Sequence, residues 1–234
     1  MNLLRPGTND LRFPPVETST PEGLVAVGGD LRPERLLAAY RHGIFPWYGA
    51  DQPILWWSPD PRTVLFPAKL KIARSLRKTL RQGKFRVTLD QAFDTVMRAC
   101  AGPRGDQPSG TWITPAMHEA YVRLHALGHA HSVEAWDDGQ LVGGLYGVAL
   151  GAAFFGESMF SRATDASKVA FVHLVRQLEA WGYALVDCQV ASAHLFSLGA
   201  EEIPRTDFLA QLAAALARPG RPAPWRFDSD LEVA

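Results

Sequence analysis

Residues 129 to 160 constrain this chain more than any other stretch. HAHSVEAWD alternates apolar with polar, DDGQ makes a turn, LVGGLYGVALG runs on, and AAFFGESMF follows after Gly151. Three β-rich segments with connections this short pair as antiparallel neighbours, because a parallel return needs a dozen residues or more. A meander is therefore expected, and the rest of the chain must pack against it. TDASKVAFVHLVRQLEAWG then reads as a helix, with Thr164 or Asp165 at its N-cap, Val169, Val172, Val175 and Leu178 along one side, and Gly182 as its stop. YALVDCQV reads as a short strand, SAHLFSLGA as a short helix or turn, and PRTDFLAQLAAALA as a last helix before a Pro/Arg tail.

Upstream the texture is less regular. Residues 1 to about 22 read as an extended lead-in with no packed element, and GLVAVGGD as a short strand closing on two glycines. LRPERLLAAYRHG has Pro33 near its first turn and Gly43 just past its last, the favoured asymmetry of helix ends, with Leu36, Leu37 and Tyr40 on one buried face. IFPWYGADQPILWWSPDPR carries Trp47, Trp56 and Trp57 among four prolines, so neither a helix nor a central strand is expected there. From Lys69 to Arg86 eight of the chain's 24 Lys and Arg occur with no acid until Asp90. At helical spacing Arg74, Arg77, Lys78 and Arg81 fall on one face and Ile72, Leu76 and Leu80 on another. Two further helices are read through QAFDTVMRACA and TPAMHEAYVRLHALG.

Composition narrows the class. The 234 residues are 47% hydrophobic and 21% charged, which excludes a disordered chain or a coiled coil and suffices for one large domain or two small ones. No stretch approaches the ~18–20 apolar residues of a membrane span and MNLLRPGTND is no apolar leader, so the expected location is the cytoplasm. The formal net charge is zero, so a nucleic-acid partner has to be argued from local clustering.

Three places in the sequence carry polar groups that need explaining. Period two in YALVDCQV puts Leu185, Asp187 and Gln189 on one face and Val186, Cys188 and Val190 on the other. The Asp187 and Gln189 pair is costly in a buried strand unless partnered, which leaves a structural or a functional role open. Cys188 lies with the valines and reads as a small core residue. In AAFFGESMF the same period groups Phe155, Glu157 and Met159, so a carboxylate stands between a ring and a thioether. Arg162 or Lys168 are candidates to neutralise it, or it holds an amine in an apolar pocket. Trp47 and Trp112 lie in loops beside the basic stretch, where a flat ring is either core filler or a platform for a base. His125, His129 and His131 lack the spacing of a zinc pair, and neither a serine-hydrolase elbow nor a phosphate loop occurs.

The order of three antiparallel strands, long helix, strand and short helix resembles the GCN5-related N-acetyltransferase fold, an α+β class with a mixed sheet. In that fold a glycine-rich turn before the long helix cradles coenzyme A phosphates; here the turn is FSRATDASK, without a glycine. VGGDL at 27–31, YRHGIFPWY at 40–48, ILWWSPDPR at 54–62, GTWIT at 110–114, LVGGLYG at 141–147, FGESMFSR at 155–162, DCQV at 187–190 and SLGAEEIPR at 197–205 resemble the bacterial leucyl/phenylalanyl-tRNA–protein transferase family. The resemblance implies a small N-terminal α+β domain over 1–62 and an acetyltransferase-like domain over 63–234. It implies transfer of Leu or Phe, less often Met, from aminoacyl-tRNA to proteins that begin with Arg or Lys, with no cofactor, metal or membrane. It places catalysis on Asp187, Gln189 and Glu157, the terminal adenosine between Trp47 and Trp112, and the aminoacyl group against Leu145, Phe154 and Met159. The basic face of Arg74, Arg77, Lys78 and Arg81 is expected to meet the tRNA backbone. The rival expectations are an acyl-CoA-dependent acetyltransferase and a non-catalytic tRNA-binding protein.

Overall fold

The computed structural model describes residues 2–102 and 113–233. It begins with β1 (Leu3–Leu4), β2 (Leu24–Gly28), α1 (Pro33–Arg41), β3 (Phe45–Pro46) and β4 (Leu55–Trp57), whose strands form a sheet ordered β1-β2-β4-β3. Helix α1 starts at Pro33, is followed by Gly43 at φ 68°, and buries Leu36, Ala39 and Tyr40 as its spacing requires. Two expectations are corrected here. The lead-in contributes β1, which pairs parallel to β2. The tryptophan-rich stretch supplies β4, an interior strand of this sheet, because Pro53 and Pro59 lie outside its three residues and leave their ladder intact.

The larger sheet takes β5 (Arg62–Leu65), β6 (Arg86–Leu89), β7 (Ala130–Asp137), β8 (Gln140–Leu150), β9 (Ala153–Ser161), β10 (Leu185–Gln189) and β11 (Glu201–Ile203), ordered β11-β5-β10-β9-β8-β7-β6. The helices in chain order are α2 (Arg74–Arg81), α3 (Phe93–Cys100), α4 (Pro115–Ala126), α5 (Ala166–Ala180), α6 (Ala193–Ser197) and α7 (Arg205–Leu216). The meander β7-β8-β9 is antiparallel, while α5 returns the chain so that β10 runs parallel to β9. The sheet is mixed for that reason. Strands β5, β6 and β11 have three or four residues and no periodicity long enough to read; pairing with longer neighbours makes them strands. Asp165 occupies the N-cap of α5 at φ 66° without a side-chain capping bond, so the expected cap geometry is not the one adopted.

Two cores sandwich the large sheet. Tyr40, Trp56, Tyr121, Phe155 and Phe208 pack on one face, and Phe154, Val172, Leu174, Val186 and Trp225 on the other. The first core also contains residues of the small sheet, so the two sheets share buried surface. Adjacent Phe154 and Phe155 on β9, and Leu185 and Val186 on β10, point to opposite cores as strand alternation demands. The expected grouping of Phe155, Glu157 and Met159 is overturned by a bulge. Tyr146 pairs with Ser158 but Gly147 pairs with Gly156, which leaves Glu157 as the extra residue. Beyond it the phase inverts: Met159 sits opposite Leu145 and packs with the second core.

Candidate active site

The site forms where β9 and β10 part. Their last pair is Phe155 with Asp187. Past that point β9 bulges at Glu157, and β10 skips Cys188 in its pairing with β5 before ending on Gln189 at φ 65°. Left-handed backbone is uncommon for a residue other than glycine. Asp187 stabilises it here: its Oδ1 accepts the backbone N–H of Gln189 at 2.9 Å, an Asx-type turn that redirects the chain. Between the parted strands lies a cavity of about 220 Å³. Its apolar wall includes Leu145, Phe154, Met159 and Phe171, and Glu157 and Gln189 supply polar groups. That volume is below the ~300–1,000 Å³ of sites that enclose a whole drug-sized ligand, so it fits one side chain of a larger substrate.

Glu157 is the hub of the polar end. Its Oε1 accepts from the Tyr40 hydroxyl at 2.7 Å and from Gln189 Nε2 at 2.8 Å, and its Oε2 from the Tyr121 hydroxyl at 3.1 Å. The two tyrosine hydroxyl oxygens also lie within hydrogen-bond reach of each other, so their two protons are shared among three contacts. Burial pushes the Glu157 carboxyl up to about 7, against the three hydrogen bonds that favour its charged form. Burial, followed by the charge of Glu157, raises both phenols well above their ordinary range, so each stays a donor. Neither Arg162 nor Lys168 is the partner. Lys168 pairs with Asp165 at 3.3 Å, and Arg162 lies over the Phe160 ring.

Asp187 is placed differently from its expected role beside the carboxamide. Its two oxygens receive Nε and one terminal nitrogen of Arg62 at 2.8 and 2.7 Å, and the pair is fully buried, with the guanidinium between the Phe45 and Phe208 rings. Asp187 therefore reaches Gln189 through the backbone, while the carboxamide answers to Glu157. Cys188 points away from Asp187 into the second core, where it joins the apolar wall of the cavity, and burial pushes its thiol up, so it stays protonated. Sequence reasoning missed Arg62, Tyr40 and Tyr121. Arg62 closes the PDPR string, but nothing local shows that it meets a carboxylate 125 residues away.

The matches to known proteins correspond to this arrangement in extent. Residues 64–213 match the sequence model of the leucyl/phenylalanyl-tRNA protein transferase, and residues 29–60 that of its N-terminal domain. A relative of that name from Stutzerimonas stutzeri is 64% identical over 93% of this chain and 96% of its own length. Another, from Nitrosomonas europaea, is 59% identical over 97% of this chain and 96% of its own.

The chain belongs to the leucyl/phenylalanyl-tRNA–protein transferase family, a family of aminoacyltransferases.

Among solved structures, a GCN5-related N-acetyltransferase from Kribbella flavida is 12% identical at a TM-score of 0.37, covering 73% of this chain and 60% of its own. The remaining singled-out residues that the structure describes lie outside the cavity. Trp47 is 45% exposed at the end of β3, edge-on to Trp57 at 6.3 Å. Trp112 lies outside the described residues. Arg74, Arg77, Lys78 and Arg81 all stand exposed on α2, whose buried foot is Leu76, and none has a carboxylate partner among the described residues.

Proposed function

We propose that the chain transfers Leu or Phe, less often Met, from aminoacyl-tRNA to the α-amine of an N-terminal Arg or Lys of a cytoplasmic protein, marking that protein for degradation. The observation that carries this reading is the small cavity walled by Leu145, Phe154 and Met159 with the Glu157–Gln189 hydrogen bond at its polar end. The apolar wall takes the Leu or Phe side chain, and the ester carbonyl then faces the carboxamide.

An aminoacyl ester is already activated, so the site has to place a neutral amine against the carbonyl and handle one proton. Gln189 donates its Nε2–H to Glu157, which leaves its carbonyl oxygen to accept a hydrogen bond from the incoming amine. The amine nitrogen bonds to the carbonyl carbon, the bond from that carbon to the ribose oxygen breaks, and the ribose oxygen takes up the proton the amine loses. Asp187 acts as a positioning residue through the turn that aims Gln189. Trp47, with Trp112, stacks on the terminal adenosine, and the exposed cations of α2 meet tRNA phosphates.

The acetyltransferase alternative is disfavoured by the start of α5. There Asp165 places a carboxylate where coenzyme A phosphates would need a positive helix end. The test is incubation with leucyl-tRNA and a peptide beginning with Arg, with acetyl-CoA as the parallel donor. Mass spectrometry is expected to show one added leucyl residue and no acetyl group. Acetylation alone, or no product from the charged tRNA, refutes the reading.

A further inference from the structure

Among the described residues, the chain after α7 has neither helix nor strand, yet it carries one of the most deeply buried side chains in the protein. Trp225 is 1% exposed. Its ring stacks on His131 of β7 at 3.6 Å and 3°, and packs edge-on against Trp181 and Tyr183 at 5.1 and 5.9 Å. Its backbone N–H donates to Asp90 Oδ2 at 3.3 Å, the same oxygen that His131 Nδ1 reaches at 2.7 Å. Its indole N–H donates to the Arg221 carbonyl at 3.1 Å. Three residues on, Asp228 Oδ2 accepts from Gln177 and Trp181 at 2.7 and 2.8 Å. The segment is thus a strap, fastened to β7 on one side and to α5 and its C-terminal end on the other.

What the strap presses on is the cavity wall. The fourth ring beside Trp225 is Phe154, at 6.2 Å and 34°. Phe154 has no freedom on its other side, since it lies over the bare Cα of Gly147, where an added Cβ would stand 2.5 Å from its Cζ. The ring that lines the cavity is thus held between a glycine of β8 and an indole supplied by the strap. Close-packed interiors transmit such confinement, because a side chain without a neighbour on one side repacks into the space.

We propose that Trp225 is a specificity-determining residue: through Phe154 it sets the depth of the aminoacyl cavity and with it the preference between Leu and Phe. The proposal rests on the reading that this cavity takes the aminoacyl side chain. Shortening the indole lets the Phe154 ring retreat toward the strap, which deepens the cavity and favours the larger Phe side chain.

The test uses the full-length protein and an acceptor peptide beginning with Arg, measuring kcat and KM for leucyl- and phenylalanyl-tRNA. Differences of one methylene in an apolar pocket shift selectivity roughly 10–200-fold, so Trp225→Ala is expected to raise the Phe-to-Leu ratio of kcat/KM by about fivefold or more. Trp225→Phe is expected to move it the same way by less, and it carries the test if the alanine variant does not fold. Phe227→Ala removes a ring from the same strap that packs on His173 at 5.9 Å, and is expected to leave the ratio unchanged. Affinity for uncharged tRNA should be unaltered throughout. Equal loss with both charged tRNAs in the folded Trp225 variants, or the same shift in Phe227→Ala, overturns the proposal. Failure of the unaltered protein to transfer from either tRNA instead refutes the reading of the cavity.

Discussion

At the scale of single residues, Glu157 concentrates the electrostatics of the site. Burial raises its carboxyl from 4.5 to about 7, so it changes charge near neutral pH. In wild type, log kcat/KM is expected to rise with pH on two ionisations, that of Glu157 and that of the acceptor amine near ~7.7–8.0. Glu157→Gln should remove the first and lower the rate by about 10²-fold. Tyr121→Phe deletes a hydrogen bond that favours the charged form, so its acidic limb should move to higher pH. The folded protein holds an extra proton between pH 4.5 and about 7, so stability falls as pH rises through that window. A pH–rate profile that is unchanged in both variants would show that the charge of Glu157 does not govern transfer.

At the scale of elements, β10 and α2 divide the work. The end of β10 is anchored by a buried ion pair, and removing one member leaves an uncompensated charge. Asp187→Asn and Arg62→Met should each destabilise by roughly 3–5 kcal/mol in denaturant titrations and lower transfer by misdirecting Gln189. The two should be non-additive when combined, and Cys188→Ala should retain activity with at most a small packing cost. Helix α2 contributes elsewhere. Replacing Arg74, Arg77, Lys78 and Arg81 by Gln should weaken tRNA binding and flatten its salt dependence by up to about 3–4 units of log–log slope. Binding measured across a salt series that kept its original slope would take this helix out of the tRNA interface.

At the scale of the whole molecule, the two sheets act as one body. Tyr40 from α1 reaches Glu157 on β9, the Arg62 guanidinium lies between Phe45 and Phe208, and Trp56, Tyr121 and Phe155 share one core. A single cooperative unfolding transition is therefore expected, with near- and far-ultraviolet circular dichroism coinciding. Phe45→Ala, far from the cavity in sequence, should lower the unfolding free energy of that transition by the roughly 3–5 kcal/mol typical of a deleted core ring, and its midpoint with it. Two separated transitions in wild type would show instead that the sheets fold independently.

Local chemistry was enough for the long elements. The short turns of residues 129–160 left only an antiparallel meander, Pro33 and Gly43 bracketed α1, and spacing alone exposed the cations of α2. These features depend on neighbours within a few residues, where periodicity and turn chemistry act directly. The sequence motifs also named the residues around the cavity. The tertiary structure decided how those residues touch. A one-residue bulge in β9 sent Met159 to the other face, and a separate left-handed turn at the end of β10 aimed the Gln189 carboxamide at Glu157 instead of Asp187. A bulge is the outcome of pairing between two strands, and the Arg62, Tyr40 and Trp225 contacts join positions 125, 117 and 71 residues apart, so no local pattern in the chain encodes them.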